Sequence, residues 1–164
     1  MAEVANSKLF ENIEGIQHLK DALVVLVKTE WNAAIVDELE NGCNRTLAHY
    51  GFQSKTITVP GAVEIPFAIQ QYQLRSQVPV AFVALACVIR GGTPHFDYVC
   101  QSITQGVTQL NLQLQVPVIF GVLTVDDTQQ ALERIGGQHG HKGEEAAITA
   151  VKMALLNKKI KEGI

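Results

Sequence analysis

Val80-Ala81-Phe82-Val83-Ala84-Leu85-Ala86-Cys87-Val88-Ile89 leads directly into Arg90-Gly91-Gly92-Thr93-Pro94-His95-Phe96-Asp97. The first ten residues carry no charge and are rich in β-branched side chains, the composition of a strand buried on both faces of a parallel sheet. Asp97 opens a segment with helical spacing, so the turn between them joins a buried strand to a helix N-terminus. Paired glycines let a backbone swing its N–H groups inward and let a ligand come close. The helix start adds unpaired donors and positive potential, which suits an anion such as phosphate. His95 sets a group able to carry protons near neutral pH beside that anion. Each part also has a plainer reading: glycine pairs punctuate many loops, and most loop histidines are simply solvated. Three further strand ends with unusual residues shift the balance.

Upstream of this stretch, residues 22–27 form a first apolar strand, and Asn32 is placed to cap the helix that follows. From Ala33, the residues Ile35, Val36, Leu39, Cys43 and Leu47 recur at helical spacing until Gly51. Residues 55–59 alternate as a short strand, and Pro60-Gly61-Ala62 turns the chain into a helix beginning near Glu64. Downstream, a helix over 97–115 precedes a fourth strand over 117–124. Asp126-Asp127 reads as an N-cap pair for a shorter helix ending at Ile135-Gly136-Gly137. A loop over 137–143 separates it from a last helix running from Glu144 to about Lys161. Residues 1–20 are weakly patterned, and Lys8-Leu9-Phe10 reads either as a mobile tail or as an edge strand for a neighbouring subunit.

Four strand–helix alternations without a linker predict one α/β domain over 1–164, a parallel sheet flanked by helices on both faces. Right-handed crossovers place all strand C-termini along one edge, and ligands bind beyond it where strand order reverses. A chain of 164 residues can bury a real core. Its 47% hydrophobic and 18% charged content is apolar for a soluble domain. With a mean hydropathy of +0.13, that predicts apolar surface buried against another chain. The longest apolar run is half a bilayer crossing, so no membrane span is expected. A net charge of −3, with Lys158-Lys159-Ile160-Lys161 as the one basic cluster, argues against nucleic acid. The start, Met-Ala-Glu, has neither the basic nor the apolar region of a secretory signal. Cys43, Cys87 and Cys100 form no C-x-x-C pair and read as reduced thiols of a cytoplasmic protein.

The strand ends carry the candidate chemistry. Trp31, the single tryptophan, suits stacking on a planar heterocycle, worth roughly 1–3 kcal/mol by analogy with base stacking; packing on a helix suits it equally. Glu64 at a helix start either accepts hydrogen bonds from polyol hydroxyls or simply complements the dipole. Arg134, before Gly136-Gly137, either pairs with a phosphate or completes a helix C-terminus. His139-Gly140-His141 lacks further ligands at zinc spacing, so no metal is expected. The motifs G-x-x-x-x-G-K-[ST], G-x-G-x-x-G after the first strand and G-x-S-x-G are absent, which disfavours nucleotide hydrolases, dinucleotide enzymes and α/β-hydrolases.

Pro60-Gly61-Ala62-Val63-Glu64-Ile65-Pro66, the run from Val88 to Cys100, Pro117-Val118-Ile119-Phe120-Gly121-Val122-Leu123-Thr124, and Ala131-Leu132-Glu133-Arg134 followed by Gly140-His141-Lys142-Gly143 together resemble the lumazine synthases. The resemblance holds from about Leu23 to the C-terminus. It implies a flavodoxin-like sandwich around a four-stranded parallel sheet, assembled into pentamers and often sixty-subunit shells, with sites between adjacent subunits. The implied reaction of riboflavin biosynthesis joins 5-amino-6-(ribitylamino)uracil to 3,4-dihydroxy-2-butanone 4-phosphate, releasing phosphate and water, with no cofactor or metal. Riboflavin synthase is the implied protein partner. By the same resemblance, Trp31 stacks on the pyrimidine, while Ala62, Val63 and Glu64 meet the ribityl chain. Val88 and Ile89 hold the pyrimidine edge, Gly92 and Thr93 bind phosphate, and His95 moves protons. Phe120 and Arg134 come from the neighbouring subunit, and Lys142 matches the family's lysine after the glycine loop.

Three positions depart from the family pattern. Val63 stands where phenylalanine is common, Pro94 where threonine is frequent and Gln138 where lysine is frequent, leaving His139 or His141 to replace a second phosphate cation. The uninterrupted loop from Gly136 to Gly143 leans toward a shell over a free pentamer or decamer. A flavin- or lumazine-binding carrier without turnover and a shell protein valued for assembly are the alternatives to an enzyme.

Overall fold

The computed structural model describes residues 7–11 and 13–163. Its elements in chain order are β1 (Leu23–Thr29), α1 (Ala33–His49), β2 (Gln53–Val59), α2 (Ile65–Arg75), β3 (Ala81–Ile89), α3 (His95–Gln113), β4 (Val118–Val125), α4 (Thr128–Leu132), β5 (Ile135–Gly137), β6 (Gly140–His141) and α5 (Lys142–Lys161). The four long strands are parallel in the order β2-β1-β3-β4.

Each apolar run is explained by burial on both faces. In β1, Val24 and Leu26 enter one core and Val25 and Val27 the other. In β3, Val83, Leu85 and Cys87 join the first core, whereas Phe82, Ala84 and Ala86 join the second. Helices α1 and α5 close the first face, with Leu39, Cys43, Ala147 and Val151. Helices α2 and α3 close the second, with Ile65, Ile69, Ile103 and Val107. The result is the three-layer, four-stranded parallel sandwich expected. A strand with two buried faces needs no polar alternation, which is why β1 and β3 read as continuous hydrophobic runs.

The charged exception in β1 is Lys28, half-buried and ion-paired to Asp37 and Glu40 of α1, with Glu40 in turn accepting from the Thr56 hydroxyl of β2. These bonds hold Lys28 charged, its pKa raised chiefly by the Asp37 contact, and tie the first helix to both neighbouring strands.

Several local expectations change. Asn32 does not cap α1: its backbone is left-handed, with φ 57°, and its side-chain Nδ2 donates to the Cys87 carbonyl at 2.8 Å. Helix α3 begins at His95 rather than Asp97, because Pro94 supplies a helical φ one residue earlier. The Asp126-Asp127 pair divides its work. Asp127 caps α4 by accepting from the Gln130 N–H at 2.8 Å, while Asp126 accepts from Arg90 Nε at 2.9 Å. The expected glycine loop is a small antiparallel hairpin, β5–β6, and α5 starts directly from it at Lys142. Lys8-Leu9-Phe10 is not a strand in the single chain, and residues 1–6 lie outside the described residues.

Candidate active site

The strand order reverses between β1 and β3: β1 leads to β2 on one side, and the chain then crosses to β3 on the other. Parallel sheets leave a crevice at such a point, beyond the strand ends. A cavity of about 520 Å³ lies there. The end of β1 supplies Thr29, Trp31 and Asn32; the turn after β2 supplies Gly61 to Glu64. The end of β3 supplies Cys87, Val88 and Ile89, and the start of α3 supplies His95 and Val99.

Trp31 is 74% exposed, so it is not a packed core residue, and its indole borders the cavity. Gly61 brings Glu64 against the same wall. A Cβ at Gly61 would lie 2.9 Å from Glu64 Oε2 and 3.6 Å from Trp31 Cδ1, so the carboxylate and the indole both border this glycine, and a side chain here would push the flexible carboxylate aside. Glu64 closes a one-turn 3-10 helix, Ala62–Glu64, ahead of α2 and accepts no capping bond there. The Asn32–Cys87 bond joins the β1 exit to the end of β3, holding the two cavity walls in register.

Gly91 and Gly92 are exposed, and an added Cβ at either would meet nothing within 4 Å. Among the described residues the Gly92 and Thr93 N–H groups have no backbone acceptor. The turn is clamped from behind. Arg90 Nη1 lies 3.2 Å from Asp97, its Nε 2.9 Å from Asp126, and its guanidinium 4.1 Å from the centre of the Phe96 ring. Arg90 is thereby committed to structure, and the turn's unpaired donors lie just ahead of a 19-residue helix.

Cys87 is the one sulfur in the cavity wall. Burial pushes its thiol up to about 11 and that of Cys43 up to about 12. At neutral pH both are un-ionised, and Cys87 is no nucleophile. His95 is the one histidine in the wall, and it is exposed.

Phe120, Arg134 and Lys142 are not brought into this cavity. Phe120 pairs in register with Ala84, four residues short of the Val88–Thr124 rung, so it lies about 13 Å down the sheet from the rim. It is 42% exposed on the edge strand β4. It lines a second hollow, of about 560 Å³, with Leu9, Lys142, Glu145, Thr149 and Met153. Lys142 Nζ is held there by both carboxylate oxygens of Glu145 at 2.8 Å. Glu145 escaped the sequence reading; its signal was an acidic residue three positions past a lysine at a helix start. Arg134 follows α4 and donates from Nη1 to the Gln130 carbonyl at 2.6 Å. That serves the helix C-terminus but engages one of five guanidinium donors. Of the two histidines proposed as replacement cations, His139 lies 3.7 Å from Glu133, and His141 is buried against α1. His141 is therefore not available to an anion.

No described helix is long and apolar enough to cross a membrane. The cysteines Cys43, Cys87 and Cys100 are free.

Residues 21–158 match the family model described as 6,7-dimethyl-8-ribityllumazine synthase. A protein of that name from Porphyromonas gingivalis is 47% identical over 142 residues, covering 85% of this chain and 88% of its own. One from Bacteroides fragilis is 46% identical, covering 78% and 91%. One from Phocaeicola vulgatus is 41% identical over 156 residues, covering 93% and 90%. Likeness at this level along nearly the whole length, on a sheet whose switch-point crevice gathers an indole, a carboxylate and an imidazole, means that the chain belongs to the 6,7-dimethyl-8-ribityllumazine synthase family.

Proposed function

We propose that the chain is a transferase of riboflavin biosynthesis that condenses 5-amino-6-(ribitylamino)uracil with 3,4-dihydroxy-2-butanone 4-phosphate in a groove completed by a second subunit. The observation that carries the two-subunit groove is the separation just described: Trp31, Glu64 and His95 share one cavity, whereas Phe120 and Lys142 line another. One chain thus presents an open heterocycle-and-proton half, and elsewhere an aromatic-and-basic half. Joining copies head to tail brings unlike halves together, and a head-to-tail contact that closes makes a ring. A pentamer, alone or in a sixty-subunit shell, is the ring we favour. Exposed Phe67, Leu74, Tyr98 and Leu112 on the outer helices are the apolar surface such an assembly covers. The free thiols support a cytoplasmic location.

In this arrangement Trp31 covers the pyrimidine face, and the Val88–Ile89 backbone holds its edge. Ala62, Val63 and Glu64 follow the ribityl chain. The Gly92 and Thr93 N–H groups with the neighbour's Arg134 grip the phosphate, Lys142 adds positive charge, and the neighbour's Phe120 closes the ring site. The amine adds to the ketone and loses water to give an imine. The phosphate then departs toward Arg134, and ring closure expels a second water, with His95 moving protons at each stage. The substrate amine is itself the nucleophile, so the condensation needs no covalent protein intermediate, and Cys87 stays un-ionised.

Two kinetic results follow. Trp31→Ala is expected to raise KM for the uracil substrate roughly 10-fold, in line with a loss of about 1–3 kcal/mol of stacking, and to leave KM for the phosphate substrate unchanged. Arg134→Ala is expected to do the reverse, raising KM for the phosphate substrate roughly 10–100-fold as a charge-assisted contact is lost. Both are read from lumazine absorbance in steady state. Mixing dissociated His95→Ala and Arg134→Ala subunits and reassembling them tests the shared groove, because some interfaces then pair an intact His95 with an intact Arg134. Activity above that of either parent supports it; a mixture no better than the mean of the two refutes it.

A further inference from the structure

His141 is the single buried histidine of the five, with its side chain 7% exposed. Its ring lies between two glycines. On one side is Gly42 in the interior of α1, where an added Cβ would collide with Cε1 and lie 2.5 Å from Nδ1 and 2.7 Å from Nε2. On the other is Gly136 of β5, with φ +111°, whose Cβ would sit 3.7 Å from the ring's Cδ2. Nε2 approaches Glu38 Oε1 at 3.4 Å, one helical turn before Gly42. Nδ1 is buried and has no partner among the described residues. A glycine inside a helix costs about 1 kcal/mol relative to alanine, so α1 gives up local stability to admit this ring.

What the ring holds is the hairpin that bears both basic residues. His141 pairs across β5–β6 with Ile135, next to Arg134, and itself precedes Lys142. The Lys142 N–H donates to the Arg134 carbonyl at 2.8 Å. Arg134 and Lys142 therefore flank the one rung that the histidine anchors to α1. The hairpin has only three and two residues in its strands, too few hydrogen bonds to hold a position unaided.

We propose that His141 is a positioning residue, seated in the Gly42 notch of α1, that fixes the β5–β6 hairpin so that Arg134 meets the phosphate of the substrate. This rests on the reading of Arg134 as the phosphate cation. The ring touches no substrate; it acts through the hairpin.

The test is steady-state kinetics on assembled protein. His141→Ala is expected to raise KM for the phosphate-bearing ketone about 10-fold, equivalent to misaligning one charge-assisted contact, with KM for the uracil substrate within about twofold. Gly42→Ala keeps the histidine but evicts its ring, and is expected to give the same pattern although alanine favours the helix. His141→Gln, whose amide nitrogen reaches the place of Nε2, is expected to recover most of the loss. His141→Ala combined with Arg134→Ala is expected to be no worse than Arg134→Ala alone, as for residues acting in series. If Arg134→Ala leaves the phosphate-substrate KM unmoved, the phosphate reading of Arg134 fails and the proposal with it. If Arg134→Ala raises that KM while His141→Ala leaves it unchanged, shifts both KM values alike or adds fully to Arg134→Ala, the proposal alone is overturned. Loss of soluble protein in all three single variants, His141→Ala, Gly42→Ala and His141→Gln, would reduce the residue to a structural anchor and overturn it too.

Discussion

Gly143→Ala is expected to cost the fold roughly 3 kcal/mol or more, at the extreme of single substitutions. Gly143 is the second residue of α5, where that helix crosses α1. A Cβ there would collide with the Leu39 carbonyl oxygen and lie 2.9 Å from its carbon and 3.0 Å from its Cα. These are backbone atoms in the middle of α1, and they cannot rotate aside as a side chain can. The two helices would have to separate along a surface lined by small buried residues. Ala146, Ala147, Ala150 and Ala154 of α5 are all buried, and small residues leave no slack for adjustment. Separation would also loosen Leu39, Cys43 and Val151 in the first core. Thermal unfolding at matched protein concentration should show a drop of roughly 6–12 °C. Gly91→Ala, where the added methyl meets nothing within 4 Å, is the control and should leave the melting temperature in place. An unchanged melting temperature for Gly143→Ala would mean that the helices are not in contact as described.

His95→Ala is expected to lower kcat by roughly 10²–10⁴, the usual worth of one acid–base group, and to leave a clearly measurable rate. The residual rate is the informative part. Condensing an amine with a ketone needs two molecules held in register, and orientation alone is worth up to about 7–11 kcal/mol. The walls that supply orientation, at Trp31, Glu64 and the β3 end, do not depend on His95. Burial keeps the Cys87 thiol neutral, so this sulfur does not take over as a nucleophile. His95 is the exposed first residue of α3, so its replacement leaves no hole. KM for both substrates should hardly move, and circular dichroism should be unaltered. A folded variant with no turnover at all would show that proton transfer, not positioning, dominates the rate.

The sheet was legible because double burial writes itself into composition. Residues 80–89 can be uncharged throughout only if both faces are covered, and Cys87 and Ala86 do face opposite cores. The switch-point rim was legible for the same reason: once the strands are parallel, their exits must share an edge, and Trp31, Glu64 and His95 follow three such exits. The hairpin was not legible. Strands of three and two residues have no period to detect, and glycines that read as a loop were in fact making room for His141 and the chain's reversal. Nor could Asn32 be assigned. Its side chain suits an N-cap, and the bond it makes instead reaches a carbonyl 55 residues away. Arg90 and Asp126 are likewise partners only because β3 and β4 end side by side.

Local periodicity and the fixed hand of crossovers were enough to give the layers, the four strands of the main sheet and the edge on which the chemistry sits. Which groups are spent on one another and which remain free was settled by packing. It committed Arg90 to Asp97 and Asp126, enclosed His141 between Gly42 and Gly136, and set Phe120 about four residues below the rim. The physical reason is that pairing and steric fit depend on distances between residues far apart in the chain. Those distances exist only once the helices have packed.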